Sequence, residues 1–400
     1  MRVKRILIFA IAGLMTLSLV AVFLTGCGGG TKAEVVIGLT APLSGPGAAY
    51  GADVRDGLDM AIKKINDAGG IKIGDTTYTF TLESADDQMT PDKAQANTNR
   101  FVLEDGISII WDPTANTIAP LLTKNTTSGE EFLIMAYSSV PLYANAPNPL
   151  MVTLPPPFSV YMRPFIQTAM GQGWTRVAVM QTTGAYGDLW GSSFKTAWAG
   201  AGGTVVAENR ANYYTETDYS AYLTAALAAN PQVIFCGGPS EPTGLLIKQA
   251  RDRGFTGGFL VIDQAKLDVI EEEIGMDSIE GAIGVLPVDL GAADWPYMTT
   301  FADDFQAQYG RKVTWEAAIC YTGFHILTEA MKNAGSVTDL TAIRAGFAEN
   351  NAAVTSGDAF PVAFSGINDS TGALLMPGTP VFVKDGEFQP GAMVEWWKQS

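Results

Sequence analysis

Apolar positions recur along this 400-residue chain in two alternating rhythms. Short continuous apolar runs, the first from Val35 to Leu39, have the length and composition of strands buried on both faces. Between such runs the apolar residues return at helical spacing. Val54, Leu58, Ala61, Ile62 and Ile65 take one face while Asp53, Arg55, Asp56, Asp59, Lys63 and Lys64 take the other, and Gly69-Gly70 ends the helix. Further strands are predicted at Tyr78 to Glu83, Ile107 to Trp111 and Phe132 to Ala136, with helices between them, one beginning near Pro91. The Pro-rich run LPPPF at 154 to 158 interrupts this pattern, because consecutive prolines cannot pair in a sheet centre. A second series follows, with strands at Arg176 to Met180, Thr204 to Glu208, Val233 to Cys236 and Gly258 to Ile262. Tyr50-Gly51 after the first strand of one series is echoed by Tyr186-Gly187 after the first strand of the other. Strands that alternate with helices predict parallel sheets, and right-handed crossovers put the carboxyl ends of the strands on one edge. The fold class is therefore α/β, with two Rossmann-like lobes.

Composition narrows the class. The chain is 47% hydrophobic and 16% charged, as a globular protein with two cores would be. Its formal charge of −16, with no basic cluster past residue 5, argues against a nucleic-acid partner. The amino terminus reads as a targeting segment: Arg2, Lys4 and Arg5 precede an apolar run from Ile6 to Leu24. LTGC at 24 to 27 resembles a bacterial lipobox, so residues 1–26 are expected to be a signal peptide, Cys27 the lipidated first residue, and 27–34 a tether. Removing 1–26 takes away three basic residues and leaves 22 basic against 41 acidic, or −19. Cys236 and Cys320 are read as two buried thiols, in preference to the disulfide that an oxidising compartment would allow.

Ligands in open α/β sheets sit beyond the carboxyl ends of the strands, so the strand assignments select the loops that matter. In the first lobe these are Ser44 to Tyr50, Asp112 to Thr117, which includes Thr114 and Ala115, and Tyr137-Ser138-Ser139. Their hydroxyls and backbone N–H groups, beside a helix start, suit a carboxylate without requiring Lys or Arg. In the second lobe the matching loops hold Tyr186, Gly238-Pro239 and Asp263-Gln264, where an acidic side chain would accept from an ammonium. Tyr50, Tyr186 and Trp111 are candidate apolar walls. No cofactor or metal motif emerges: the glycines of SGPGAAYG do not have dinucleotide-fingerprint spacing, His325 lies in a helical stretch with no nucleophile to serve, and Asp86-Asp87 reads as a solvated turn. No enzymatic activity is expected.

The runs LSGPGAAYG and KKINDAGGI, with DDQMTPDKAQANTNRFV at 86 to 102 and VAVMQTTGAYGDLWG at 177 to 191, resemble leucine/isoleucine/valine-binding proteins, the type I periplasmic substrate-binding proteins of ABC transporters. The resemblance spans nearly all of the chain after the leader. It implies two lobes joined by a hinge of three crossing strands, placed here at 33–154 plus 281–355 and at 155–280 plus 356–400. It further implies that Thr114, Ser138 and Ser139 meet an amino acid's carboxylate, and that Asp263 or Gln264 meets its ammonium. Pro239 stands where an aromatic residue is common in the family, and Gln264 would be a weaker ammonium partner than a carboxylate. A branched-chain or other apolar amino acid is therefore expected, with an aromatic or short-chain carboxylate lacking an ammonium, an amide or a urea as the alternative. The partners implied are ABC transporter permease subunits, reached by a monomer held at the membrane through its lipid alone. A ligand sensor of the same fold would carry a DNA-binding helix-turn-helix or a second membrane segment, and neither appears.

Overall fold

The computed structural model describes residues 31–293, 295–350 and 360–398. The expected leader, Cys27 and Gly28 to Gly30 of the tether lie outside them, whereas Thr31 to Glu34, expected as tether, are the start of the first strand and pair with Thr76 to Thr79. Two sheets organise the chain. The first contains β1 (Thr31–Ala41), β2 (Ile71–Ile73), β3 (Thr76–Asp86), β4 (Ile109–Asp112), β5 (Leu133–Ala136) and β6 (Met151–Thr153), in the order β2-β3-β1-β4-β5-β6. All of its pairings are parallel except the β2–β3 hairpin. The second contains β7 (Arg176–Gln181), β8 (Thr204–Glu208), β9 (Val233–Gly237), β10 (Gly258–Val261), β11 (Ala282–Val285), β12 (Pro380–Lys384) and β13 (Glu387–Pro390). Its order is β13-β12-β11-β10-β9-β7-β8, with β12 and β13 antiparallel.

The apolar runs are strands because both faces of each sheet are covered. The helix Ala48–Asp67 lays Val54, Leu58, Ala61 and Ile65 on the first sheet, and the helices Pro296–Tyr309 and Trp315–Ala334 close the same core. The helix Ser159–Gly171, which the sequence pattern did not predict, packs with Ala185–Gly200 beneath the second sheet. The repeated Tyr-Gly pair has a steric origin. A Cβ on Gly51 would overlap the carbonyl oxygen of Pro42, and one on Gly187 would overlap that of Thr182. Each helix can begin that close to its strand end only with glycine there.

The lobe boundaries differ from the expected ones at two places. The strand at 282–285, assigned to the first lobe, pairs with β10 and β12 in the second sheet, so the return begins after Val285. Residues 362–376, assigned to the second lobe, pack on the first: Ala373 bridges Thr153, and Val362, Phe364 and Leu374 join the first core. The chain thus passes between sheets after Thr153, after Val285 and after Met376, through the stretches Leu154–Phe158, Leu286–Pro287 and Pro377–Thr379. Residue type does not report such long-range pairing, which depends on which strand edge is left vacant.

Candidate functional site

In both sheets the strand order reverses beside the first strand of a series, at β1/β4 and at β7/β9, and the loops leaving these strands face one another across a cleft. The cleft is open to solvent, and the space between its walls, that solvent included, is about 430 Å³. From the first lobe it is lined by Tyr50, Thr114, Ala115, Tyr137, Ser138 and Ser139, and from the second by Tyr186, Asp263 and Gln264. The structure therefore gathers all but two of the residues singled out from the sequence. Trp111 and Pro239 are the corrections. Trp111 is fully buried in the first core, tilted against Phe324 at 6.1 Å, because a residue inside a central strand points into the helix layer. Pro239 is buried at the start of the helix Ser240–Asp252, where its carbonyl accepts from the Thr243 hydroxyl at 2.7 Å, and it does not reach the cleft.

The first-lobe wall rests on a buried carboxyl group. Asp112 Oδ1 accepts from the Thr114 N–H at 3.0 Å and from the Thr117 hydroxyl at 2.6 Å, which holds Thr114 extended at the start of the helix Ala115–Leu121. Burial, and then the charge of Asp87, push the Asp112 carboxyl well above the usual carboxylate range. Asp87 is itself buried and accepts from Thr40 and Met89, so of the 86–87 pair Asp86 keeps the solvent access expected of both, while Asp87 ties off the ends of β1 and β3. Asp86 caps the same turn through Leu43 and Ser44. The Ser138 and Ser139 hydroxyls have no hydrogen bond to another described residue and face the cleft. Tyr50 donates to the Pro113 carbonyl at 2.9 Å and meets Tyr137 edge-on, with ring centres 6.2 Å apart. Burial raises both phenols, so they remain protonated.

The second-lobe wall is built around Asp263. Its Oδ1 accepts from the Tyr186 hydroxyl and from Trp190 Nε1, the latter at 2.8 Å, leaving Oδ2 without a described protein donor. The Tyr186 oxygen also accepts from the Gln264 N–H, and the Gln264 side-chain oxygen accepts from Tyr214 at 2.7 Å. Of the two neighbouring candidates, Asp263 is thus the one with a free, preoriented anionic oxygen. Lys266, Glu316, Tyr214, Asn116 and Met89 also line the cleft and were missed in the sequence. The one signal available for Lys266 and Glu316 was a charge embedded in an apolar context, DQAKLDVI and TWEAAIC.

The lobes touch at the cleft. Lys266 Nζ lies 2.7 Å from Glu316 Oε1 and donates to the carbonyls of Asp263 and Gln264. Asn116 Oδ1 accepts from the Ala185 N–H at 2.8 Å, and Lys312 approaches Asp268 at 3.8 Å. The remaining expectations concern chemistry. Cys236 and Cys320 are free and buried in different cores. His325 packs between Tyr321 and Phe360. Among the described residues there is no cluster of metal-ligating side chains, and no helix is long and apolar enough to cross a membrane.

Such a cleft, between two α/β lobes crossed three times by the chain, is the arrangement of a solute-binding protein. The periplasmic binding protein family matches residues 34–375, and the chain belongs to that family, whose members bind solutes and are not enzymes. It is similar to the Leu/Ile/Val-binding protein BraC3 of Rhizobium johnstonii, 29% identical over 321 residues that cover 78% of this chain and 82% of that one. It also resembles Leu/Ile/Val-binding protein homolog 3 of Brucella melitensis, 27% identical with the same coverage. Among solved structures, the leucine-binding protein LivK of Thermotoga maritima superposes with a TM-score of 0.74 at 20% identity, covering 90% of this chain and 99% of that one. A solute-binding protein of an ABC transporter from R. palustris, in complex with benzoate, gives 0.75 at 15%, covering 90% and 96%. The type I periplasmic-binding-protein fold expected from the sequence is the fold observed.

Proposed function

We propose that this protein is an extracytoplasmic lipoprotein, anchored through Cys27, that delivers an apolar α-amino acid of the leucine, isoleucine or valine type to the permease subunits of an ABC importer. The observation that carries this reading is the Asp263 carboxylate, pinned through Oδ1 by Tyr186 and Trp190 with Oδ2 uncommitted, across the cleft from the uncommitted hydroxyls of Ser138 and Ser139. An acceptor on one lobe and donors on the other suit the ammonium and carboxylate of one zwitterion. A ligand touching both walls favours the closed arrangement, and the closed form, as a monomer, is what a transporter would engage. The relatives named for leucine, isoleucine and valine support the class of ligand.

A second reading, a carboxylate without an ammonium, is favoured by the benzoate carried by one structural neighbour. Isothermal titration of the protein, freed of ligand by unfolding and refolding, separates the two. Leucine is expected to bind tightly and 4-methylpentanoate weakly. Equal or tighter binding of 4-methylpentanoate or benzoate would replace the amino-acid reading with the second. Metabolic labelling with palmitate, lost in Cys27→Ser, is the expected result for the anchor.

A further inference from the structure

Beside the cleft lies a second pocket, open to solvent, whose space is about 590 Å³ with that solvent included, and Tyr137, Pro155, Asp263 and Lys266 line both. Its wall is chemically unlike the first. Among the described residues, Asp263 and Lys266 are the charged side chains on it, and Lys266 is already engaged by two carbonyls and Glu316. The rest is largely apolar and includes Tyr161, Trp295, Trp315, Ile319 and Met376. The Trp315 N–H is held by the Leu286 carbonyl at 2.7 Å, so the indole offers the chamber its hydrocarbon and not its donor. Two of the three stretches at which the chain changes sheet contribute to it, through Pro155-Pro156 and through Pro377 and Thr379, and Val285 adds the strand end that precedes the third. An apolar tail reaching from a head group held in the cleft would leave water and bury its surface against this wall, which is worth hydration and contact free energy.

We propose that the second cavity is a tail chamber, and that beyond leucine-type side chains the site takes amphipathic acids whose head lies in the cleft and whose aryl-alkyl or long alkyl tail runs past Tyr137 and Pro155 to lie against Trp315 and Ile319. The proposal rests on the cleft being the site of the head group, as in the proposed function. The tail would touch both lobes and the segments between them, so its burial adds to closure. Each methylene placed there is expected to tighten binding about fourfold.

The test is titration of the protein with two series of constant head: alanine, leucine, phenylalanine and 2-amino-4-phenylbutanoate, and the desamino acids benzoate, 4-phenylbutanoate and 6-phenylhexanoate. Ile319→Phe and Met376→Phe, which fill the chamber from separate segments, are measured beside it, with melting curves to select the folded variants. The longest tails of the head class that binds are expected to be at least tenfold tighter than its shortest member, and to lose that gain in either folded variant while leucine or benzoate binding is kept. Long tails that bind no tighter than short ones, or that are indifferent to the folded variants, overturn the chamber and leave the proposed function standing. If no member of either series binds, the proposed function has failed and the chamber falls with it.

Discussion

Lys266 and Glu316 form an ion pair 2.7 Å long between the two lobes, with side chains only 7% and 2% exposed. Lys266 follows β10 of the second sheet, and Glu316 begins the helix Trp315–Ala334 that covers the first. Removing one partner of such a pair leaves a buried charge uncompensated. Lys266→Met is expected to lower unfolding free energy by about 3–5 kcal/mol, and Lys266→Met with Glu316→Leu to recover most of it. Chemical denaturation checks this. Recovery in the double variant would be absent if Lys266 acted chiefly through the two carbonyls it also meets.

Asp263→Asn keeps an oxygen for Tyr186 and Trp190 but removes the charge. Leucine affinity is expected to fall by one to three orders of magnitude, about 1.5–4 kcal/mol, while affinity for a desamino acid is unchanged or improved. Titration calorimetry with the two ligands reads both arms. An equal loss for both would mean that Asp263 shapes the loop and does not meet an ammonium.

Ser138→Ala and Ser139→Ala delete hydroxyls that hold no partner among the described residues. Each is expected to weaken carboxylate binding roughly 5- to 10-fold, the net worth of about one hydrogen bond, with the melting temperature unchanged. Differential scanning fluorimetry with and without ligand separates the two effects.

Gly51→Ala places a methyl group against the Pro42 carbonyl. The expected cost is about 1–3 kcal/mol of stability together with weaker ligand binding, since Tyr50 must shift with the helix start. Urea unfolding and titration together test this, and normal binding in a destabilised variant would separate Tyr50 from the helix start.

His325 gives a pH dependence with a definite sign. Burial, reinforced by Lys64 and Lys332, lowers its pKa from 6.5 to about 4. The folded state then binds fewer protons than the unfolded state between these values. Its contribution is fully present above pH 6.5 and is lost as pH falls toward 4, to a limit of about 3 kcal/mol. His325→Phe is expected to flatten that part of the stability profile, measured by denaturant titrations at pH 7 and pH 4.5.

What the sequence determined by itself was local and periodic. Runs such as Val35 to Leu39 and Val233 to Cys236 can only be buried strands, the helical spacing of Val54 to Ile65 demands a sheet to cover, and the loops at the strand ends follow from that alternation. This is why Tyr50, Thr114, Ser138, Tyr186 and Asp263, far apart in the chain, were selected together and stand in one cleft. Tertiary structure decided the rest, because it turns on contacts between distant segments that residue type does not encode. Trp111 could have faced either side of its strand, and the covering helix took it into the core. The strand at 282–285 could have joined either sheet, and the vacant edge of β10 claimed it. Lys266 and Glu316 became a pair only when the two lobes buried them against each other, since the partner of a buried charge is set by whatever lies opposite and not by its neighbours in sequence.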